Sequence, residues 1–365
     1  MEGLTEVAGH FRTEGRIVDF REFGSGNIND TFLITLTAEG EKHFVLQRIN
    51  THVFSRPDLI MRNMRIATEH MRSRIELISL REDSRWEIPT VMQTEDGSDH
   101  WIDAKGSFWR AVSFIEGAES FDTIQSGDHA SEVGYALGMF HTLLSDLPPV
   151  MLADTLEGFH ITPRYLRHYE EVLAKCDRAG SPEVNYCIRF VEKRKGLADI
   201  LEDAKAGGRL HLRSIHGDPK VNNILMDTET RRAVSIVDLD TVKPGLVHYD
   251  IGDCLRSGCN RLGEETGQWE AVSFDLDICR NILNGYLMMA RAFLTGDDFG
   301  YLYDAMRLIA FELGLRFFTD YLEGDVYFKV SRAEQNLARA LVQFKLVENI
   351  EYHENVIRRI IRDIR

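Results

Sequence analysis

Through the first 115 residues, apolar and polar positions alternate in short runs punctuated by glycine. Residues 16–23, 30–37 and 42–49 are rich in β-branched and aromatic side chains, and glycine turn signals follow the first two. Three strands are therefore predicted, with Gly40 in a hairpin connector. The period then changes: across residues 57–79, Leu59, Ile60, Met64, Ala67, Met71 and Ile75 share one helical face, and Pro57 stands near its start. Two more strand-like runs, 88–93 and 108–115, flank the polar turn EDGSDH. The pattern predicts an antiparallel five-stranded sheet with one packed helix.

From about Asp128 long helices take over. Residues 128–145 place Val133, Leu137, Phe140 and Leu144 on one face, and Pro148-Pro149 stops the run. Helical periodicity returns over 162–175, 182–205, 274–294, 301–321 and 332–364, interrupted by one β-like stretch at 213–241. The expected architecture is α+β and two-lobed. Residues 1–115 form a sheet-rich lobe and residues 116–365 a mostly helical one, with the polar segment near 113–128 as connector.

Composition changes this picture mainly by exclusion. With 365 residues, 44% hydrophobic and 28% charged, the chain can bury a core in each lobe. A net charge of −15 without any Lys/Arg block argues against a nucleic-acid partner; it suits a cationic small molecule, or simply a solvated surface. No apolar run approaches the roughly 18 residues of a membrane span. The segment MEGLTEVAGHFRTEG has neither a basic n-region nor an apolar h-region, so a cytoplasmic location is expected. Five cysteines without a CxxC read as reduced, mostly buried thiols, and thirteen histidines without HExxH give no transition-metal signature.

The chemistry concentrates in the β-like stretch. In Ile215-His216-Gly217-Asp218-Pro219-Lys220-Val221-Asn222-Asn223, a carboxylate and an amide stand five positions apart in a loop between strands. Phosphoryl transfer needs an acceptor for the attacking hydroxyl's proton close to a metal-binding amide, roles that suit Asp218 and Asn223. Gly217 lets the backbone turn the carboxylate toward a cleft. Val237-Asp238-Leu239-Asp240 then delivers a second carboxylate at a strand end, a hard oxygen ligand for Mg²⁺. His248-Tyr249-Asp250 marks a helix start with Asp250 as its expected cap. Each piece alone is common; the ordered set HGD–x₄–N–x₁₄–D–x₁₁–D is far more specific. His141 on its apolar helix and His216 beside the base read as structural braces rather than proton carriers.

This ordered set resembles the motifs of the aminoglycoside phosphotransferase and choline kinase superfamily, small-molecule relatives of protein kinases. The strings Gly26-Asn27-Ile28-Asn29-Asp30-Thr31, Phe44-Val45-Leu46-Gln47-Arg48-Ile49-Asn50, Trp109-Arg110, Phe114-Ile115-Glu116-Gly117, Val237–Thr241, Gly252-Asp253 and Arg256-Ser257 are similar to its N-acetylhexosamine 1-kinase branch. The resemblance implies a kinase-like fold with an ATP site between the lobes, Asp218 as catalytic base and Mg²⁺ on Asn223 and Asp238. An acceptor pocket is implied in the C-terminal lobe, with Arg256 as a substrate contact; a surface ion pair is the alternative reading of that arginine.

Gly24, Ser25, Gly26 and Asn27 are the residues expected to cover phosphates with backbone N–H groups, a hairpin turn being the rival reading. Ser113 and Ile115 stand where a hinge would meet adenine. Where many relatives carry a phosphate-binding Lys or Arg, this chain has Gln47. Strict alternation points Arg48 to the other sheet face unless a bulge turns it inward. The implied reaction is ATP-dependent phosphorylation of the C1 hydroxyl of an N-acetylhexosamine. The rivals are the same chemistry on choline, an aminoglycoside or homoserine, a non-catalytic nucleotide sensor, and a hydrolase using Asp218 with Asp238.

Overall fold

The computed structural model describes residues 2–24, 28–38, 40–176 and 180–365. Its chain folds into the expected two lobes, one built on an antiparallel sheet and one on helices. β1 (Arg16–Glu22), β2 (Asp30–Ala38), β3 (Gly40–Ile49), β4 (Val91–Met92) and β6 (Phe108–Ser113) lie in the order β1-β2-β3-β6-β4. The two-residue β5 (Trp101–Ile102) pairs with β6 and makes the sheet six-stranded instead of five. It arises just after the turn EDGSDH, where Asp103 receives the indole N–H of Trp109 at 3.0 Å and draws the loop onto β6.

One face of the sheet buries Ile34, Leu36, Phe44, Leu46, Trp109 and Ala111. A helix the periodicity did not reveal covers it: α1 (Glu2–Ala8) contributes Val7 and Ala8, and Phe11 follows. At 7 residues it is too short to show an apolar stripe. The other face looks toward α2 (Pro57–Ile75) and the second lobe. α2 serves both cores: Ile60 and Met61 pack with Ile49 and Phe108, whereas Met64, Ala67 and Met71 join the core of the helical lobe.

The connector carries β7 (Ala118–Glu119), which pairs with β9 (Ile224–Asp227), itself paired with β10 (Ala233–Ile236). β8 (Arg213–Ile215) pairs with β11 (Lys243–Gly245). These short strands suspend the two loops that hold Asp218 and Asp238. Beneath them run α3 (Gly127–Leu143), α4 (Thr162–Leu173), α5 (Pro182–Arg194), α6 (Ile200–Ala206), α7 (Val247–Gly258), α8 (Leu276–Ala290), α9 (Gly296–Gly300), α10 (Leu302–Glu323), α11 (Gln335–Tyr352) and α12 (Glu354–Ile364).

Two predicted helices are broken. Residues 182–205 divide at a 3-10 turn, Lys195–Leu197, around Gly196, and the C-terminal run divides at His353. Apolar periodicity continues across a change of direction when both halves are amphipathic, so it does not register the bend.

α3 and α8 cross at backbone distance. A Cβ on Gly134 would stand 1.9 Å from the Ile282 carbonyl oxygen, and one on Gly285 would stand 1.9 Å from that of Ser131. Among the described residues no helix is long and apolar enough to cross a membrane.

Candidate active site

The loop after β8 is fixed from below. Asp250, buried in the first turn of α7, accepts the backbone N–H groups of His216 at 2.7 Å and Gly217 at 2.8 Å. It also meets His141 Nε2 at 2.9 Å, and His141 Nδ1 meets the Tyr286 hydroxyl at 3.0 Å. Asp250 is therefore no helix cap, since Leu246 holds that position. Its carboxylate faces the catalytic loop, whose two buried N–H groups need an acceptor. Gly217 has φ +89°, and a Cβ there would lie 2.7 Å from the Thr241 carbonyl oxygen, so both conformation and space require glycine. His216 braces the loop, with Nε2 donating to Val237 O at 2.9 Å and Nδ1 accepting the Asp218 N–H at 3.3 Å.

A second buried brace reaches the same loop from the other side. His160 places Nε2 2.7 Å from the Gly217 carbonyl oxygen and Nδ1 2.9 Å from Glu312 Oε1. Thr162 Oγ1 donates to the other Glu312 oxygen at 2.7 Å. Both ring nitrogens face pure acceptors, so the imidazole is held doubly protonated. Burial acts against that charge, but Glu312 overcomes it and raises His160.

So positioned, Asp218 opens to the cleft with Lys220 Nζ 2.9 Å from its Oδ2. Burial would raise the Asp218 carboxyl, yet Lys220, then His216 and Arg256, hold it below the ordinary carboxylate value. Asn223 turns its Nδ2 to the Asp218 carbonyl oxygen at 2.8 Å, which leaves Oδ1 as its free ligand atom. Asp238 follows β10 in the left-handed region, φ 63°, which swings its carboxylate out of the strand. Burial in the cleft, then the charges of Asp240 and Asp218, push it up to about 7, although its side chain reaches solvent.

Of the three carboxylates crowded here, Asp218 is paired with Lys220 and Asp240 with Arg110; Asp238 has no ion pair among the described residues, and a divalent cation fits beside it. Among the described residues no group of three His, Cys, Asp or Glu side chains would hold a metal alone. Asn223 and Asp238 together with nucleotide phosphates match the sparse protein ligation of Mg²⁺.

Sequence reasoning placed the remaining candidates unevenly. Gln47 faces the cleft side, as alternation required. Its Nε2 donates to Thr31 Oγ1 at 3.1 Å, and its Oε1 accepts two bonds from Arg110, at 2.7 and 2.9 Å. Arg48 is corrected out of the site. β3 pairs in unbroken register with β2 and β6, so no bulge exists, and Arg48 extends to the half-exposed outer face beside Asp30. Ser113 is the last residue of β6, and its N–H is spent on the Thr90 carbonyl oxygen at 2.9 Å, unavailable to adenine. Ile115 is buried at the lobe junction. Gly24 has φ +80° with open space around it, while Ser25, Gly26 and Asn27 lie outside the described residues. Arg256 is no surface ion pair, though it bears on Asp218. It is buried, with Nε 2.7 Å from Asp253 Oδ1 and a second bond to Glu264 at 3.1 Å.

The sequence profile of the phosphotransferase enzyme family matches residues 19–277, more than half of the chain. The chain belongs to that family. This phosphotransferase is also similar in fold to solved small-molecule kinases. A microcompartment-associated aminopropanol kinase shares 16% identity and a TM-score of 0.65 over 98% of each chain. An aminoglycoside phosphotransferase from Alicyclobacillus acidocaldarius shares 14% and 0.63 over 98% of this chain and 96% of that one. An amicoumacin kinase solved with AMP-PNP and Ca²⁺ shares 13% and 0.59 over 96% and 92%. The chain is accordingly a phosphotransferase, and its likeness to these kinases, each under 25% identical, is one of fold.

Three residues escaped the motif reading. Lys220 lies inside the motif, and its spacing two positions from Asp218 was the available signal. Arg110 lies in the quoted Trp109-Arg110 string, but only strand register shows that it stands opposite Gln47. Arg316 on α10 had no signal. Its guanidinium lies 5.0 to 5.9 Å from the ring centroids of Tyr165, Phe159, Phe328 and Tyr327.

Proposed function

We propose that this kinase transfers the γ-phosphoryl group of ATP to the anomeric C1 hydroxyl of an N-acetylhexosamine, N-acetylglucosamine or N-acetylgalactosamine. Arg316 is the observation that carries the reading. It is within reach of the charge on Asp218, ringed by four aromatic side chains, and makes no hydrogen bond or ion pair with the described residues. Aromatic faces suit the apolar face of a pyranose, and a guanidinium donates well to a hydroxyl or acetyl carbonyl. The same surroundings disfavour amines. Arg316 is itself a cation with no ion-pair partner among the described residues, so a choline or aminoglycoside ammonium would enter beside an unpaired like charge. The aminopropanol and aminoglycoside acceptors named for the neighbouring structures carry that charge.

In the reaction, ionised Asp218 accepts a hydrogen bond from the C1 hydroxyl and takes its proton as the oxygen attacks the γ-phosphorus. The new O–P bond forms while the bond to the bridging oxygen breaks, and ADP leaves. Lys220 keeps Asp218 ionised and oriented. Asn223 and Asp238 would hold Mg²⁺, which neutralises charge developing on the phosphates.

The test is ADP release against a panel of free sugars with choline and kanamycin as controls, followed by phosphorus NMR of each product. N-acetylhexosamines should give a C1 phosphate, and their 1-O-methyl glycosides should be inert because the nucleophile is blocked. A C6 phosphate, turnover of the glycoside, or activity confined to the amines would overturn the reading.

A further inference from the structure

The chain strings quoted above for their resemblance come from seven separate places, yet four of them meet around one side chain. Asp240 is buried, and its two carboxylate oxygens are both claimed by the sheet lobe. Arg110 of β6 forms an ion pair with Oδ1, and Asn29, just before β2, donates from Nδ2 to Oδ2 at 2.7 Å. Asn29 is in turn fixed through Oδ1 by the Asn50 N–H at 2.9 Å, and Arg110 is gripped by Gln47, which Thr31 holds. Asp240 itself sits in the 3-10 turn Leu239–Thr241 that begins at Asp238. The same turn is docked on α2, where Asn63 donates to the Val242 carbonyl oxygen at 2.8 Å.

We infer that Asp240 is the socket of an inter-lobe clasp, with Arg110 and Asn29 as its two pins. When the clasp is made, the sheet is seated over the nucleotide and the turn bearing Asp238 is set in one event. Asp240 is then no second metal ligand, because both of its oxygens are engaged. Arg110 is no phosphate ligand: Nε and one terminal nitrogen are used, the other terminal nitrogen is buried from solvent, and the side chain is 1% exposed. The cation missing at Gln47 has thus been moved across the sheet and given a mechanical task. Arg110 and Asn29 act through Asp240 as positioning residues, and the inference is independent of the acceptor.

Isothermal titration with ADP and with adenosine, in the presence of Mg²⁺, tests this on Arg110→Gln, Asp240→Asn and Asn29→Ala. The last variant leaves the buried ion pair intact, so it folds even if the other two do not. Weakening the clasp lowers the closed fraction, and affinity falls by that fraction whichever part of the nucleotide is present. ADP and adenosine should therefore weaken by the same factor, about tenfold for the ion-pair variants and about threefold for Asn29→Ala, with the acceptor KM unchanged. Loss for ADP but not adenosine would overturn the clasp and make Arg110 a phosphate ligand. Unchanged affinity for both in folded variants would reduce the cluster to packing.

Discussion

In the proposed reaction two demands meet at the Asp218 carboxylate: it must be ionised to take a proton, and it must be held in one orientation within a largely buried loop. Lys220 serves both. Asp218→Asn should keep the fold and ADP affinity but lower kcat by at least about 10²-fold, as the loss of a general base ordinarily does. Wild-type turnover in that variant would rule the role out. Lys220→Met should shift the acid limb of the kcat/KM profile to higher pH. Lys220 is what holds the Asp218 carboxyl below its ordinary value, so without it the base protonates sooner as pH falls. A pH–rate profile of both proteins decides this. At this scale the sequence was legible where placement follows from local spacing, which brings Asp218, Asn223 and Asp238 to one cleft, or from strand alternation, which sends Gln47 inward and Arg48 outward. Roles that depend on a partner far along the chain, such as Asp250 with the Gly217 N–H or Arg110 with Asp240, need the fold.

Among the elements, the α3–α8 crossing leaves no room for a side chain. Gly134→Ala or Gly285→Ala must push two helix backbones apart, and each should lower stability by about 1–3 kcal/mol or more, read from denaturant midpoints at unchanged slope. The His160–Glu312 link between the catalytic loop and α10 predicts a pH signature. His160 is raised above its ordinary 6.5, so its stabilisation is fully present below that value and is lost as pH climbs through the higher folded value. Glu312 is lowered from 4.5, so its share is present above 4.5 and is lost in acid. Thermal midpoints should therefore fall on the alkaline side in wild type, and His160→Gln should be less stable at pH 6 yet lack that decline. An equal decline in both proteins would show that other groups cause it. Element existence followed from period for the long helices; α1, β5 and β7 are too short for any period, and the breaks at Lys195–Leu197 and His353 leave the apolar stripe continuous.

On the scale of the whole molecule, the proposed reading has the two lobes share a nucleotide, beside the packing of α2 in both cores. Asn223→Ala and Asp238→Ala should each raise the Mg²⁺ concentration needed for activity, since each removes an oxygen from a metal with few protein ligands. Overlaying Mg²⁺ titrations would remove them as ligands. Mg·ADP at a hundred times its Kd should stabilise the wild type by about 2.7 kcal/mol, and Asp238→Ala should gain visibly less at the same concentrations.

The connector decides how the lobes can move. Glu116 belongs to both: its carboxylate accepts the His43 N–H at 3.1 Å in the sheet, and its carbonyl oxygen accepts from Arg85 at 2.6 Å. Arg85 is anchored to Asp227 at 2.8 Å, and Gly117 is bonded to Thr228 at 2.9 Å, so from there onward the chain is stitched into the helical lobe. α2 is stitched there as well through Asn63 and its buried methionines. The lobes are thus joined at three chain crossings, before α2, after α2 and at Glu116, and α2 packs on both. A joint tethered at three points resists sideways slip of the sheet across the helical lobe. A nucleotide held between the lobes would meet the same sheet residues each time it binds.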